Sequence, residues 1–250
     1  MGMTPIVLWD IDGTLVRGRG QRVTMTAFVQ ALQVASRQSA LQYPTDAHGK
    51  TDSGIALEML AAASMGETEA RALLAGFGEG YLAALREQRD QVIDDLEVLP
   101  GVREVLDELK QRQVTQSLLT GNLEPVARLK LAYAGLDAYV DFEIGAFGSD
   151  HHDRSRLVPI VRDRLRRRLG SNSNGQEIVV VGDTPRDIAC ARAGGARAIA
   201  VATGNFSRAE LQAHTPDAVF DDLQDTQTVI ELVLRYSTYA DPGADTALIV

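Results

Sequence analysis

The chain has 250 residues, 45% of them apolar, with a formal net charge of −9. Such a composition supports a real core in one large domain or a domain with an insertion, and the acidic balance excludes an overall electrostatic fit to nucleic acid or anionic lipid. The lone cysteine, Cys190, rules out an intramolecular disulfide, and no apolar run nears the ~20 residues of a bilayer span.

In chain order, the apolar run Ile6-Val7-Leu8-Trp9 makes residues 5–10 a buried strand, ended by Gly13-Thr14. A polar, glycine-bearing stretch follows at 16–20. Helical periodicity then predicts helices over 23–41, 54–65 and 67–88, rich in Ala, Leu and Glu, with no convincing strand among them. Pro100-Gly101 punctuates the return before a helix over 102–112. From there strands and helices alternate. Strands are expected at 114–120, 142–147, 177–182, 197–202 and 217–220, and helices at 123–134, 157–169, 185–193, 207–213 and 226–235. This alternation predicts an α/β fold, a Rossmann-like parallel sheet with helices on both faces. The helical insertion after the first strand is a candidate second domain. The expected division is a core of residues 1–16 and 97–238, a cap of 17–96 and a tail of 239–250. Residues 171–175 read as a flexible loop, and 240–250 as poorly ordered. With a strand starting by Pro5, no signal peptide is expected and the protein is read as cytoplasmic.

Three strand ends carry the chemistry. They are Asp10-Ile11-Asp12-Gly13-Thr14, Leu119-Thr120-Gly121-Asn122 and Val181-Gly182-Asp183-Thr184-Pro185-Arg186-Asp187. In a parallel sheet all three fall on the carboxyl edge, where ligands bind. Paired acids there can serve a metal, a nucleophile and a proton transfer together. A plain acidic turn is the bland alternative for the first segment. For Asn122 it is an ordinary N-cap of the following helix, with Pro125 in the first turn.

Taken in order, D-I-D-G-T, T-G-N and G-D-T-P-R-D resemble the haloacid dehalogenase superfamily of phosphohydrolases, in its phosphoglycolate-phosphatase-like branch. The resemblance spans residues 5–235 and implies a five-stranded core with the first strand central and a helical cap. It makes Asp10 the nucleophile that forms an aspartyl-phosphate and Asp12 the general acid and base. It makes Asp10, Asp183 and the Asp12 carbonyl ligands of Mg²⁺, with Asp187 in support. Oxygen donors suit that hard cation. Thr120, Gly121 and Asn122 would bind phosphate through the Thr120 hydroxyl and free N–H groups at the helix start. The family's dehalogenase branch lacks an acid where this chain has Asp12, so phosphate rather than halide chemistry is implied.

The pattern departs in one respect. Many members carry a lysine before a proline ahead of the last catalytic strand, yet this chain has only Lys50, Lys110 and Lys130. Lys130, on the helix after Asn122, is therefore expected to neutralise the phosphate, with Arg154 and Arg156 as substitutes. A solvated surface lysine is the alternative. The string His48-Gly49-Lys50-Thr51-Asp52 is no Walker loop, because the upstream glycine would fall at Pro44 and no strand leads in. By resemblance, Lys50 or His48 would touch the leaving group. The alternative is an inert loop in which Asp52 or Ser53 caps the next helix. The basic run 162–168 reads as a solvated helical face, and Cys190 as packing.

The leading function is a Mg²⁺-dependent phosphatase acting on a small phosphorylated metabolite. A sugar phosphomutase keeps the same fold, and a phosphonatase would need Lys50 as its Schiff-base lysine. A non-catalytic binding protein is the alternative of another class. The substrate's identity stays open, as does a homodimer through an apolar cap helix.

Overall fold

The computed structural model describes residues 5–20, 22–170 and 177–236. The expected loop at 171–175 and tail at 240–250 lie outside these residues. β1 (Ile6–Trp9) leads into β2 (Val16–Gly18), and then come α1 (Val23–Ser36), α2 (Asp52–Ala62), α3 (Glu67–Glu87), α4 (Arg89–Asp95) and β3 (Leu96–Val98). The rest alternates as α5 (Val102–Gln111), β4 (Thr115–Leu118), α6 (Glu124–Ala134), α7 (Leu157–Leu169), β5 (Ile178–Gly182), α8 (Pro185–Ala193), β6 (Arg197–Val201), α9 (Arg208–Ala213), β7 (Ala218–Phe220) and α10 (Thr226–Arg235).

The main sheet has the order β4-β1-β5-β6-β7 and is parallel throughout. Helical crossovers between successive strands enforce that direction. β1 is interior, but it stands second, and β5 takes the middle; the expectation that the first strand is central is corrected to that extent. The chain steps from β1 to β4 on one side and to β5 on the other. The strand order therefore reverses at β1, and a crevice opens at its carboxyl end.

Side chains alternate across the sheet. Val7, Trp9, Val179, Val181, Ile199 and Val201 share one apolar layer with α5, α6 and α10. Ile6, Leu8, Ile178, Val180, Ala198 and Ala200 share the other with α7, α8 and α9. Trp9 is fully buried and its indole N–H donates to Gln116 Oε1 at 3.2 Å, so no donor is left stranded. The inserted helices have their own core. Phe28, Phe77 and Tyr81 stack within it, Phe28 meeting Phe77 edge-on at 4.8 Å. Leu123 and Val126 of the α6 region join this cluster, which seats the insertion on the sheet's carboxyl edge.

Most elements fall within three residues of their expected bounds. Three readings are corrected. Residues 142–147 form no strand, because turns on either side leave only Ala146 bridged to Leu119. The helix expected to reach residue 41 ends at Ser36, where Arg37 turns left-handed at φ 57°. The polar stretch after β1 contains β2, which pairs antiparallel with β3, Val16 opposite Val98. This ribbon carries the chain out to the insertion and back. Periodicity misses both strands, since each has three residues. The basic run presents a solvated face, with Asp163, Arg166, Arg167 and Arg168 exposed, and several of its charges are paired: Arg162 donates to the Gly194 and Gly195 carbonyls, Arg164 pairs with Asp150, and Arg168 pairs with Asp141. Among the described residues, no helix is long and apolar enough to cross a membrane.

Candidate active site

The crevice collects the three strand ends. β1 delivers Asp10, whose N–H donates to Val181 O at 2.9 Å, so the residue still follows the ladder with β5. The chain then turns at Gly13, φ +86°, where a Cβ would lie 2.3 Å from Asp183 Oδ2; only glycine permits that approach. Thr14 Oγ1 donates to Asp183 Oδ1 at 3.2 Å. Beyond β5, Thr184 caps α8 in a reciprocal box with Asp187. The Thr184 N–H and hydroxyl donate to Asp187 Oδ2 at 3.0 and 2.7 Å, which fixes that carboxylate's direction.

Asp10, Asp183 and Asp187 are buried, and each places a carboxylate oxygen within 4.8 Å of the others. Burial pushes Asp10 up to about 6, with Arg154 opposing and Asp187 adding to the rise. Asp183 is raised well above the ordinary carboxylate range by burial and by the charges of Asp187 and Asp10. Three crowded, desolvated carboxylates with only oxygen donors fit a hard divalent cation.

Asp12 has the opposite environment. It is half-exposed, and Lys130 Nζ donates to both its oxygens at 2.8 and 2.7 Å. Burial works against its charge, but Lys130, followed by hydrogen bonds from Lys130 and Asn122, holds it below the usual carboxylate value. Lys130 itself is buried and also donates to Asn122 Oδ1 at 2.8 Å. Asn122 Nδ2 reaches Asp12 Oδ2 at 2.8 Å and Thr120 Oγ1 at 3.0 Å. A polar chain thus runs Thr120–Asn122–Asp12–Lys130.

Lys130 therefore sits on Asp12, and the cation beside Asp10 is Arg154, from a short 3₁₀ turn at Arg154–Arg156. Its buried guanidinium lies 3.1 Å from Asp10 Oδ2 and also bonds Asp187. These two carboxylates raise its pKa against burial. Arg156, the other substitute, is exposed. Two further expectations are corrected. Asn122 is not the cap of α6: Leu123 occupies that position without a side-chain bond, because the Asn122 amide is committed to Asp12 and Thr120. Nor are the amides at the α6 start all free. Asn122 N donates to Thr120 Oγ1, Leu123 N to Asp52 Oδ2 and Glu124 N to Ser149 Oγ.

The loop before α2 lies against this edge. Arg186 donates to His48 O at 2.7 Å, Arg154 to Gly49 O at 3.2 Å, and Thr51 Oγ1 to His152 O at 2.6 Å. Lys50 Nζ pairs with Asp46 and Glu58 at 2.8 and 2.7 Å. Lys50, Glu58, His152, Arg154 and Arg186 line a cavity of about 340 Å³ between loop and core. Thr51, rather than Asp52 or Ser53, caps α2. The capping alternative for Asp52 therefore fails, and its carboxylate turns to the core instead, where burial raises it to about 6. Sequence reasoning missed this contact. The signal was present in Thr51, an equally good cap one residue earlier.

A family model described as a haloacid dehalogenase-like hydrolase matches residues 4–195. The chain is 28% identical over 245 residues to the probable phosphatase IndB of Dickeya dadantii, covering 94% of this chain and 97% of that one. It is 30% identical over 134 residues to a phosphoglycolate phosphatase of Chromobacterium violaceum, covering 54% and 58% of the two chains. A β-phosphoglucomutase structure from Clostridium difficile superposes with a TM-score of 0.66 at 17% identity, over 94% of this chain and 99% of the other. That likeness is one of fold.

Proposed function

The chain belongs to the haloacid dehalogenase-like hydrolases, and on that premise we propose that it is a Mg²⁺-dependent phosphatase cleaving a small-molecule phosphate monoester through an aspartyl-phosphate on Asp10. The observation that carries the reading is the contrast between two carboxylates one residue apart. Asp10 is buried in an acidic triad, while Asp12 stands outside it, held by its own lysine.

We assign Mg²⁺ to Asp10, Asp183 and Asp187, with the Asp12 carbonyl. When bound, the ion offsets the repulsion between the carboxylates and a phosphate dianion. The remaining steps belong to this chain's side chains. An Asp10 oxygen attacks phosphorus as the bond to the leaving oxygen breaks, and Asp12, which Lys130 holds ionised in the free protein, takes up a proton as the substrate binds and passes it to that oxygen. Asp12, now a carboxylate, takes a proton from water as it attacks the aspartyl-phosphate. Phosphate leaves and Asp10 is restored. We assign the positive charge facing the transferred group to Arg154, and give Lys130 the task of orienting Asp12. Thr120, Gly121 and Asn122 hold the phosphate side, while Lys50 or His48, on the loop before α2, meets the leaving group. We take residues 17–96 as a cap that excludes water during the first step, and the β2–β3 ribbon as its connection to the core.

The test is phosphate release with Mg²⁺ across phosphorylated metabolites that include phosphoglycolate, sugar phosphates, nucleotides and pyrophosphate. Release from at least one, abolished in Asp10→Asn, is the expected result. Isomerisation of a sugar phosphate without release would replace the phosphatase by a mutase. No turnover and no Mg²⁺ binding would leave a non-catalytic protein.

A further inference from the structure

Three backbone segments meet with unusual closeness beside the proposed phosphate site. They are residues 49–52 of the insertion, 120–123 after β4, and 147–149. A Cβ on Gly121 would lie 2.2 Å from the Lys50 carbonyl oxygen, and one on Gly148 would lie 1.9 Å from the Gly121 carbonyl oxygen. Side chains are excluded from both contacts, so main chain packs on main chain. The polar pairing is equally direct. Asp52 N donates to Gly121 O at 2.7 Å, and Gly148 N to Asn122 O at 2.8 Å. The Asp52 carboxylate then accepts from Leu123 N at 2.9 Å. Asp52 therefore grips the peptide on each side of Asn122.

This grip answers a deficit in α6. A helix start leaves N–H groups without partners, and a side-chain acceptor there stabilises the helix. Leu123 has no oxygen to offer, and Asn122 spends its amide on Asp12, Thr120 and Lys130. The acceptor comes instead from another part of the molecule, and as an anion it also suits the positive end of the helix.

From this juxtaposition we propose that Asp52 is a positioning residue: seating the insertion on the core clamps residues 121–123, which aims Asn122 at Asp12 and Thr120. The catalytic edge is then complete only when the loop is docked, and lifting it leaves Gly121 O and Leu123 N without their partners. Binding energy from the rest of the substrate could in this way be used to assemble the site. The proposal rests on the phosphatase reading for its catalytic meaning, but the clamp is measurable without turnover.

The experiment compares Asp52→Ala, Asp52→Asn and Asp52→Glu in the full chain, with the wild type and Asp10→Asn alongside. Asn keeps an oxygen where Leu123 N needs it, while Glu keeps the charge but displaces it. Asp52→Ala and Asp52→Glu should lower kcat about tenfold with KM changed less than about threefold, because Asp12 alignment matters most in the transition state. Asp52→Asn should stay within about threefold of wild type on the same grounds. Amide hydrogen exchange over residues 121–123 should accelerate in Ala and Glu but not in Asn. Unchanged exchange in both Ala and Glu overturns the clamp, as does a kcat that falls equally in Asn and Ala. Wild-type kcat in either Ala or Glu overturns the positioning role. If wild type and all variants release no phosphate, the phosphatase reading fails, and the exchange pattern still decides the clamp. If Ala does not fold, the comparison of Glu with Asn decides it.

Discussion

At the scale of single residues, the site separates two aspartates by giving each its own cation. Arg154 stands against Asp10 and Lys130 against Asp12. Burial pushes Asp10 up, and Arg154 is the strongest influence opposing that rise. Arg154→Met should therefore move the acid limb of the kcat/KM profile to higher pH and lower kcat/KM about 100-fold. Arg154→Lys should recover part of both. A limb that stays in place in Arg154→Met would remove Arg154 from Asp10's field. For Asp12, the leading cause that lowers its pKa is Lys130. In Lys130→Met the Asp12 carboxyl should titrate at higher pH, as read by carboxylate NMR; no change would show that Asn122 alone suffices. The four acids, Thr120 and Asn122 were legible in the sequence because they follow apolar runs at strand ends. Which cation meets which acid was not, since Lys130 and Arg154 are long side chains on elements whose spacing says nothing of their reach.

At the scale of elements, the turn after β1 is a steric constraint on the site. Gly13 is left-handed and has the Asp183 carboxylate where a Cβ would go. Gly13→Ala should cost about 1 kcal/mol or more from backbone strain alone and should displace Asp183, erasing the rise in melting temperature on adding Mg²⁺. A Gly13→Ala protein with an intact Mg²⁺ response would mean that Asp183 is not part of the metal site. The strand–turn–helix pattern of this region was readable from Gly13-Thr14 and from the Thr184-Pro185 helix start. The β2–β3 ribbon was not, because three-residue strands are too short to establish a period of two. Residues 142–147 failed for the opposite reason: an apolar run resembling a strand lies between turns that allow only one bridge.

For the whole molecule, crowding carboxylates at one sheet edge has a thermodynamic consequence. Burial pushes Asp10 and Asp52 up to about 6, and Asp183 is raised well above the usual carboxylate value of 3.8. The native state therefore holds protons that the unfolded chain has released, and these groups lose stability for the fold as pH rises from 3.8 through their native values. Asp12 runs the other way, contributing stability at neutral pH that is lost on acidification. Asp183→Asn removes one raised carboxylate, so the metal-free variant should melt above the metal-free wild type, by a gap that widens as the pH rises from about 4 to about 6. The same variant should lose the Mg²⁺-induced rise. A gap that is constant across that range would show that the Asp183 charge is not penalised in the fold.

Local pattern was enough for the parallel sheet, the helical insertion and the three reactive strand ends, because apolar runs, turn residues and capping types act over a few neighbouring positions. Tertiary structure alone decided the pairing of Arg154 with Asp10, of Lys130 with Asp12 and of Asp52 with the start of α6. Each joins segments far apart in the chain. Their proximity follows from the order in which the strands assemble and from how the insertion's apolar core meets Leu123 and Val126. A side chain's partner depends on which carboxylate or amide that assembly brings within about 3 Å, a distance that hydrophobic periodicity does not encode.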